Sequence, residues 1–371
     1  PAPPYGQAGR PPPQYEPEGR GKGWEPGTQL CSRRTKLEPG TLSTYYARMN
    51  SQQTTLIEML GIEHPIIGGA MYPCSNPELV AAVTNAGGIG VLQPVSLVYV
   101  HGWDFREGIR HIRSLTDGPI GMNVLTEKSS DRYLERMRQW LDIALDENIR
   151  FFVSSLGNPR WIVDAVAPHG GLVFHDVTER KWADKAISAG VHGLVAVNGR
   201  AGGHAGALSP EALLDDLRGI DLPIVCAGGI GDAAAYRHAL ELGYVGVQIG
   251  TRLIATAECT ESAEYKQAII DAGEDDIVLT HKITGVPVSV IKTARVEREG
   301  TEAGPFEHWL LTHPKIKHWV RALYSVRSFF RMKKASQRGV VSHRDYLQAG
   351  KSVAGVRAVQ PVAEIIADWT E

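Results

Sequence analysis

The stretch Val197-Asn198-Gly199-Arg200-Ala201-Gly202-Gly203-His204-Ala205-Gly206 sets one histidine in a glycine-rich loop directly after the apolar, β-branched run Gly193–Val197. Imidazole titrates near neutrality, so His204 can hold an anion or move a proton at working pH. The glycines let backbone approach a flat ligand closely. Two further glycine turns follow strand-like runs: Ala227-Gly228-Gly229-Ile230-Gly231 and Gln248-Ile249-Gly250-Thr251. Backbone N–H groups of Gly228, Gly229, Gly250 and Thr251 can converge on a phosphate there. The helix start after Gly231 adds a favourable dipole, and Arg252 a charge. Three such turns in order point to a cofactor-binding barrel.

Other polar and small residues fall at comparable strand ends. Gly68-Gly69-Ala70-Met71 ends the first strand with small residues on which a planar ring can lie, and Met71 can pack against it. Crowding at a barrel mouth demands small residues there too. Asn123 both donates and accepts, which suits a pyrimidine edge; closing a turn is the alternative. Asn198 and Gln248 are equivalent candidates. His175-Asp176 faces the same mouth, with Asp176 as a helix cap the competing role. Cys226 lies within an apolar run and reads as core rather than nucleophile.

These residues need elements to hold them. Strands are predicted at Pro65–Ala70, Ile89–Leu92, Ile120–Val124, Phe151–Ser155, Leu172–His175, Gly193–Val197, Ile224–Ala227 and Gly246–Ile249. Helices are predicted between them at Pro77–Asn85, Phe105–Ser114, Asp131–Glu147, Pro159–Ala167, Thr178–Ala189, Pro210–Leu217 and Asp232–Leu242. Asn76, Thr178 and Ser209 are the expected caps, and Gly87, Gly190 and Gly243 the expected stops. Eight alternating strand–helix units predict a (β/α)8 barrel of the α/β class, spanning 55–300. Beyond it, Glu261–Ala272 reads as helix and Val286–Ile291 as extended. A basic helical segment over 305–335 reads as a charged outer face rather than a nucleic-acid patch. The tail, Ala349–Val353 into Val362–Trp369, can supply the barrel's last helix, so 301–371 is expected to be a helical extension that completes the barrel.

Residues 1–48 are proline-rich and lack apolar periodicity, as in Pro11-Pro12-Pro13 and Glu16-Pro17-Glu18-Gly19. They are expected to be a disordered extension, with the functional start near Met49. The 371 residues carry a formal net charge of −2, which implies no affinity for nucleic acid. Four cysteines form no CxxC pair, so neither a zinc site nor a disulfide framework is signalled. No run of about 18 apolar residues predicts a membrane span, and a cytoplasmic protein is expected.

The ordered set Pro65–Met71, Asn85–Gly90, Gly121-Met122-Asn123, Ala201–His204, Ala227–Ile230 and Gln248–Arg252 resembles the nitronate monooxygenase family, formerly 2-nitropropane dioxygenases. It is also similar to FMN-dependent enoyl-ACP reductases, which share the barrel and the Ala-Gly-Gly-His loop. The resemblance implies FMN held by Asn123, Asn198, Gly202, Gly203, Gly228, Gly229 and Gln248 through Thr251. Gly69, Ala70 and Met71 would lie beside the isoalloxazine, and Ile249 and Gly250 are among the residues from Gln248 to Thr251 that would contact FMN. It implies His204 as the catalytic residue, holding an alkyl nitronate and able to act as base toward a neutral nitroalkane. The nitronate would reduce FMN, and O2 would then complete the reaction to a carbonyl compound and nitrite. An NAD(P)H-dependent enoyl-thioester reductase fits the same motifs. No metal is implied, and a homodimer is left open. Two departures stand out. The family loop Gln-Gly-x-Glu-Ala-Gly-Gly-His is one residue shorter here and lacks the glutamate. The usual Gln-Ala-Pro-Met is Gly68-Gly69-Ala70-Met71.

Overall fold

The computed structural model describes residues 56–126, 131–280, 287–301 and 346–371. The expected extension at 1–48, the start near Met49 and the basic segment at 305–335 lie outside the described residues.

Eight parallel strands close into a barrel in chain order: β1 (Ile66–Gly68), β2 (Ile89–Leu92), β3 (Ile120–Leu125), β4 (Phe151–Ser155), β5 (Leu172–Val177), β6 (Gly193–Val197), β7 (Ile224–Ala227) and β8 (Gly246–Ile249). Closure comes where β1 pairs with β8, with Ile67 beside Gln248. Seven helices alternate with them: α1 (Pro77–Asn85), α2 (Phe105–Leu115), α3 (Asp131–Asp146), α4 (Arg160–Val166), α5 (Arg180–Ser188), α6 (Pro210–Asp216) and α7 (Ala233–Leu242). This is a (β/α)8 barrel.

Strand periodicity of two sorts the side chains. Ile67, Val91, Val153, Phe174, Val195 and Val225 point inward and form one buried cluster. Phe151 and Phe174 meet edge to face, with centroids 5.3 Å apart, and fill the interior. Leu56 and Leu60, from a helical turn at 56–60, join the same cluster. Outward residues such as Ile66, Leu92, Phe152, Val173 and Val247 pack under the helices in a second cluster. Burying each such side chain stabilises the fold by about 1.5–3 kcal/mol.

Ser209 caps α6, accepting from the Ala212 N–H at 3.2 Å. The other two expected caps do different work. Asn76 makes no cap bond; its amide donates to Glu78 Oε2 at 2.7 Å and to the Glu258 carbonyl at 2.9 Å. Helix α5 starts at Arg180, not Thr178, and its first N–H is taken by Asp216 of α6 at 2.5 Å. Strand β5 in turn runs two residues past its expected end. Asp176 pairs with Val195 in the β5–β6 ladder, which removes it from any capping position.

After β8 come α8 (Thr251–Ile254), α9 (Ala263–Asp271) and an antiparallel hairpin of β9 (Ile277–Thr280) and β10 (Val288–Ile291). Only the second hairpin strand was expected. α10 (Ala294–Glu299) follows. The last helix, α11 (Val362–Thr370), packs against α1 and α7, with Trp369 stacked on Tyr236 at 5.9 Å. Among the described residues no helix is long and apolar enough to cross a membrane.

Candidate active site

Each strand delivers one inward residue to the C-terminal mouth of the barrel, just beyond the interior apolar layer. These are Gly69, Gln93, Asn123, Ser155, Asp176, Val197, Ala227 and Gln248, and all line a cleft of about 1310 Å3. Active sites of such barrels are built at this end, where loops of unrelated sequence converge. The rim divides into two halves of different character.

The half over β6, β7 and β8 is made of glycine turns. Gly228 has φ +117, and a Cβ there would sit 2.5 Å from Asn198 Oδ1. Only glycine lets the two loops come this close. Asn198 itself is fully buried and does not line the cleft. Its amide donates to the Gly228 carbonyl at 3.0 Å, while its Oδ1 accepts from the Arg200 N–H at 2.8 Å. The expectation of a direct cofactor contact from its side chain is therefore corrected: Asn198 ties the β6 and β7 loops together. Among the described residues, the N–H groups of Gly229 and Gly250 donate to no protein acceptor. Arg252, expected to add charge, turns away; it donates to the Ala255 carbonyl at 3.0 Å and to Gln360 Oε1 at 2.6 Å. Burial alone holds its pKa below the usual guanidinium value.

The hairpin and tail clamp this half. Ser289 N–H donates to the Gly203 carbonyl at 2.8 Å, and Lys351 N–H to the Arg200 carbonyl at 2.9 Å. Gly350 N–H donates to Thr251 Oγ1 at 2.9 Å. A Cβ on Gly350 would lie 2.5 Å from the Gly202 nitrogen, so the tail passes directly against the His204 loop. His204 projects at the exposed rim of the cleft. Arg200 pairs with Glu274, Nη1 to Oε2 at 3.1 Å, which anchors the loop's outer side beside the hairpin. Gly202, Gly203, Ile249, Gly250 and Thr251 all face the cleft, as do Gly69, Ala70 and Met71 across from them.

The half over β2 to β5 is a ladder of side chains. Gln93 Nε2 donates to Asn123 Oδ1 at 3.4 Å, and Asn123 Nδ2 to Ser155 Oγ at 3.4 Å. Ser155 Oγ donates to Asp176 Oδ2 at 2.6 Å. Asn123 also donates to the Val153 carbonyl at 3.1 Å. Burial pushes the Asp176 carboxyl up to about 6, against the lowering effect of the Ser155 hydrogen bond. His175 points the other way, its Nδ1 2.8 Å from Ser154 Oγ, and burial holds it down at about 4, so it is neutral at pH 7. Cys226 is buried in β7 with its thiol pushed up to about 12, an inert core residue.

Gln93, Ser155 and the tail residues Gln348 and Ser352 were not anticipated as parts of the site. A signal for the first two existed. Each stands two residues beyond the last inward apolar residue of its strand, Val91 or Val153, in phase with Asn123.

A family model for nitronate monooxygenase matches residues 53–371. The chain belongs to the nitronate monooxygenase family. It is 32% identical over 255 residues to the nitronate monooxygenase of Pseudomonas aeruginosa, covering 57% of this chain and 72% of that one. It is 29% identical over 246 residues to a Rhodococcus jostii enzyme, (3aS,4S,5R,7aS)-5-hydroxy-7a-methyl-1-oxo-octahydro-1H-indene-4-carboxyl-CoA dehydrogenase, covering 66% and 67%. Among solved structures it is similar to FabK from Thermotoga maritima, with TM-score 0.68, 25% identity, and 85% and 94% of the two chains covered. A nitroalkane oxidase from Streptomyces ansochromogenes shares the fold, with TM-score 0.66, 23% identity, and 84% and 96% covered. Family membership makes the protein a flavin-dependent oxidoreductase.

The mouth fits a flavin on its own evidence. Gln248 Oε1 is buried in the cleft wall without a hydrogen-bond partner among the described residues. An enclosed acceptor of this kind is costly unless a ligand supplies the donor. The open side of the β7 and β8 turns supplies unspent backbone donors for an anionic end.

Proposed function

We propose that this enzyme binds FMN and oxidises alkyl nitronates with O2 to a carbonyl compound and nitrite. The observation that carries this reading is His204, set on the glycine loop at the same cleft as the unpartnered Gln248 Oε1 and the β7–β8 turns. FMN, when bound, supplies the electron acceptor. Gly229, Gly250 and Thr251 hold its phosphate: two backbone N–H groups and a hydroxyl that already accepts from Gly350 and can donate outward. Gln248 takes a ring N–H. Gly69, Ala70 and Met71 leave room for the flat ring against β1. His204 holds the negatively charged nitro oxygens from the rim, fixing the substrate over the ring and stabilising its charge. Asn198 acts at one remove, by fixing the loops.

Oxygen uptake and nitrite release with propyl-1-nitronate test the proposal. Wild-type enzyme is expected to yield nitrite with flavin-dependent O2 consumption. Absence of both in flavin-loaded protein overturns the assignment.

One observation favours a second reading, an FMN enzyme acting on acyl thioesters. Beyond the ladder and the glycine turns, the cleft is also lined by Leu156, Trp182 and Lys185, which gives it an apolar and basic arm. Rapid flavin reduction by NADPH or by an acyl-CoA would mark that activity.

A further inference from the structure

Two segments far apart in sequence run side by side at the edge of the cleft. One is the turn after β1. Met71 N–H donates to Ser75 Oγ at 2.8 Å and Ser75 N–H to the Met71 carbonyl at 3.0 Å, so Cys74 sits inside a closed turn. The other hangs on the end of α8. Thr256 Oγ1 donates to the Leu253 carbonyl at 2.7 Å and accepts from the Cys259 N–H at 3.3 Å. Asn76 staples the two segments together on either side of Cys259. Its amide donates to the Glu258 carbonyl at 2.9 Å, and its Oδ1 accepts from the Thr260 N–H at 3.3 Å. This register sets Cys74 against Cys259. The two side chains hydrogen-bond each other, and Cys259 Sγ lies 3.7 Å from the Cys74 carbonyl oxygen. Both thiols are free and buried, and Cys74 forms part of the cleft wall. The hydrogen bond from Cys74 holds the Cys259 thiol below its usual value, and the same bond keeps Cys74 protonated. A nucleophilic thiol beside a second one that can resolve it is the arrangement of a redox-sensing pair.

We propose that Cys74 and Cys259 are a reversible modification site: hydrogen peroxide entering the cleft joins them in a disulfide that slows flavin release. Two S–H bonds break and one S–S bond forms. The two electrons given up by the sulfurs cut the O–O bond of the peroxide, and the two thiol protons leave with its oxygens as two waters. A dithiol reductant reverses the step by exchange. The consequence follows from what the two segments carry. The Met71 turn walls the cleft at β1, and α8 begins at Thr251 in the β8 turn. A covalent bond between them, in place of a thiol contact, removes open conformations in which these walls part. A flavin held by both walls is then released more slowly. The proposal goes beyond the nitronate reading and needs only the flavin that family membership gives, whichever substrate is oxidised.

The test needs no turnover. Flavin-loaded protein is treated with hydrogen peroxide and, in parallel, with dithiothreitol. The oxidised sample is expected to lose two hydrogens in intact mass, and non-reducing peptide mapping to join the Cys74 and Cys259 peptides. Flavin release after dilution, read from the return of free-flavin fluorescence, should be at least about 10-fold slower than in the reduced sample. Dithiothreitol should then restore both mass and rate. C259S should neither form the cross-link nor change its release rate on oxidation. If C259S fails to fold, the oxidised and reduced wild-type samples decide the matter by themselves. Sulfinic or sulfonic acid on either cysteine without a cross-link overturns the proposal, as does the absence of any oxidation at the pair. A Cys74–Cys259 cross-link that leaves flavin release unchanged overturns it too, and so does slowing that persists in C259S. None of these outcomes bears on the nitronate reading, which nitrite release tests separately.

Discussion

The two halves of the barrel mouth are built on opposite principles. Over β6 to β8 the backbone does the work: glycines bring loops within contact of each other, N–H groups face the cleft, and one histidine stands at the rim. Over β2 to β5 the side chains do it: Gln93, Asn123, Ser155 and Asp176 pass hydrogen bonds from strand to strand. The first half can grip a flat, phosphorylated cofactor with little dependence on side-chain identity. The second presents a single polarised carboxylate and can discriminate substrates. Cofactor binding and substrate chemistry are thus separable by mutation, one half at a time.

The largest effect is expected at the rim of the glycine half. His204→Ala should retain flavin and lose about 100-fold or more in kcat on propyl nitronate, since it removes the group meeting the substrate's charge. Visible spectra of the purified variant and nitrite assays check both parts. Next is Gly228→Val. A Cβ 2.5 Å from Asn198 Oδ1, at φ +117, forces the β6 and β7 loops apart. The protein should purify largely colourless, with flavin affinity reduced at least about 10-fold, because backbone strain and a steric clash act together there. Smaller again is Gln248→Ala, which removes one acceptor for a ring N–H; flavin affinity measured by fluorescence quenching should fall about 10-fold, near the value of a single buried hydrogen bond.

The ladder half should answer to pH. Its one carboxylate, Asp176, is pushed up to about 6 by burial. The other titratable residues lining the cleft are Tyr72, Cys74, His175, Lys185, His204 and Tyr265, of which His175 turns its ring to Ser154. His175 stays neutral above about 4, burial keeps Tyr72 and Tyr265 protonated at neutral pH, and the Cys259 hydrogen bond with burial does the same for Cys74. The stability of the fold should therefore follow Asp176. Asp176 holds its proton more tightly folded than unfolded, so the native state binds the extra proton between about pH 4 and 6. That contribution is present below pH 4 and is lost as pH rises through 6. D176N should be the more stable protein at pH 8, by on the order of 2 kcal/mol, read by denaturant titration.

The same contrast governs how much of the molecule is legible in its sequence. A glycine turn after an apolar strand is a local signal, so Gly202, Gly203, Gly228, Gly229 and Gly250 can be assigned to the mouth from residue order alone. The barrel itself is legible because strand and helix periods alternate eight times. The ladder is different. Its members lie some 20 to 30 residues apart and meet only because parallel register stacks Asn123 beside Val153 and Ser154 beside His175. Ending β5 at His175 leaves Asp176 open between mouth and helix cap, since a helix-capping aspartate and a strand-end aspartate look alike in one dimension. Asn198 misleads for a related reason: a buried amide between two loops has the same residue type as one facing a ligand. The tail clamp is not legible at all, because Gly350 reaches Gly202 across roughly 150 residues of chain.

Anaerobic mixing of the purified flavoprotein with propyl nitronate, and separately with NADPH, probes the assigned chemistry most directly. Bleaching of the flavin band by nitronate and not by NADPH is the expected result. Bleaching by NADPH alone would contradict it and identify a reductase built on the same mouth.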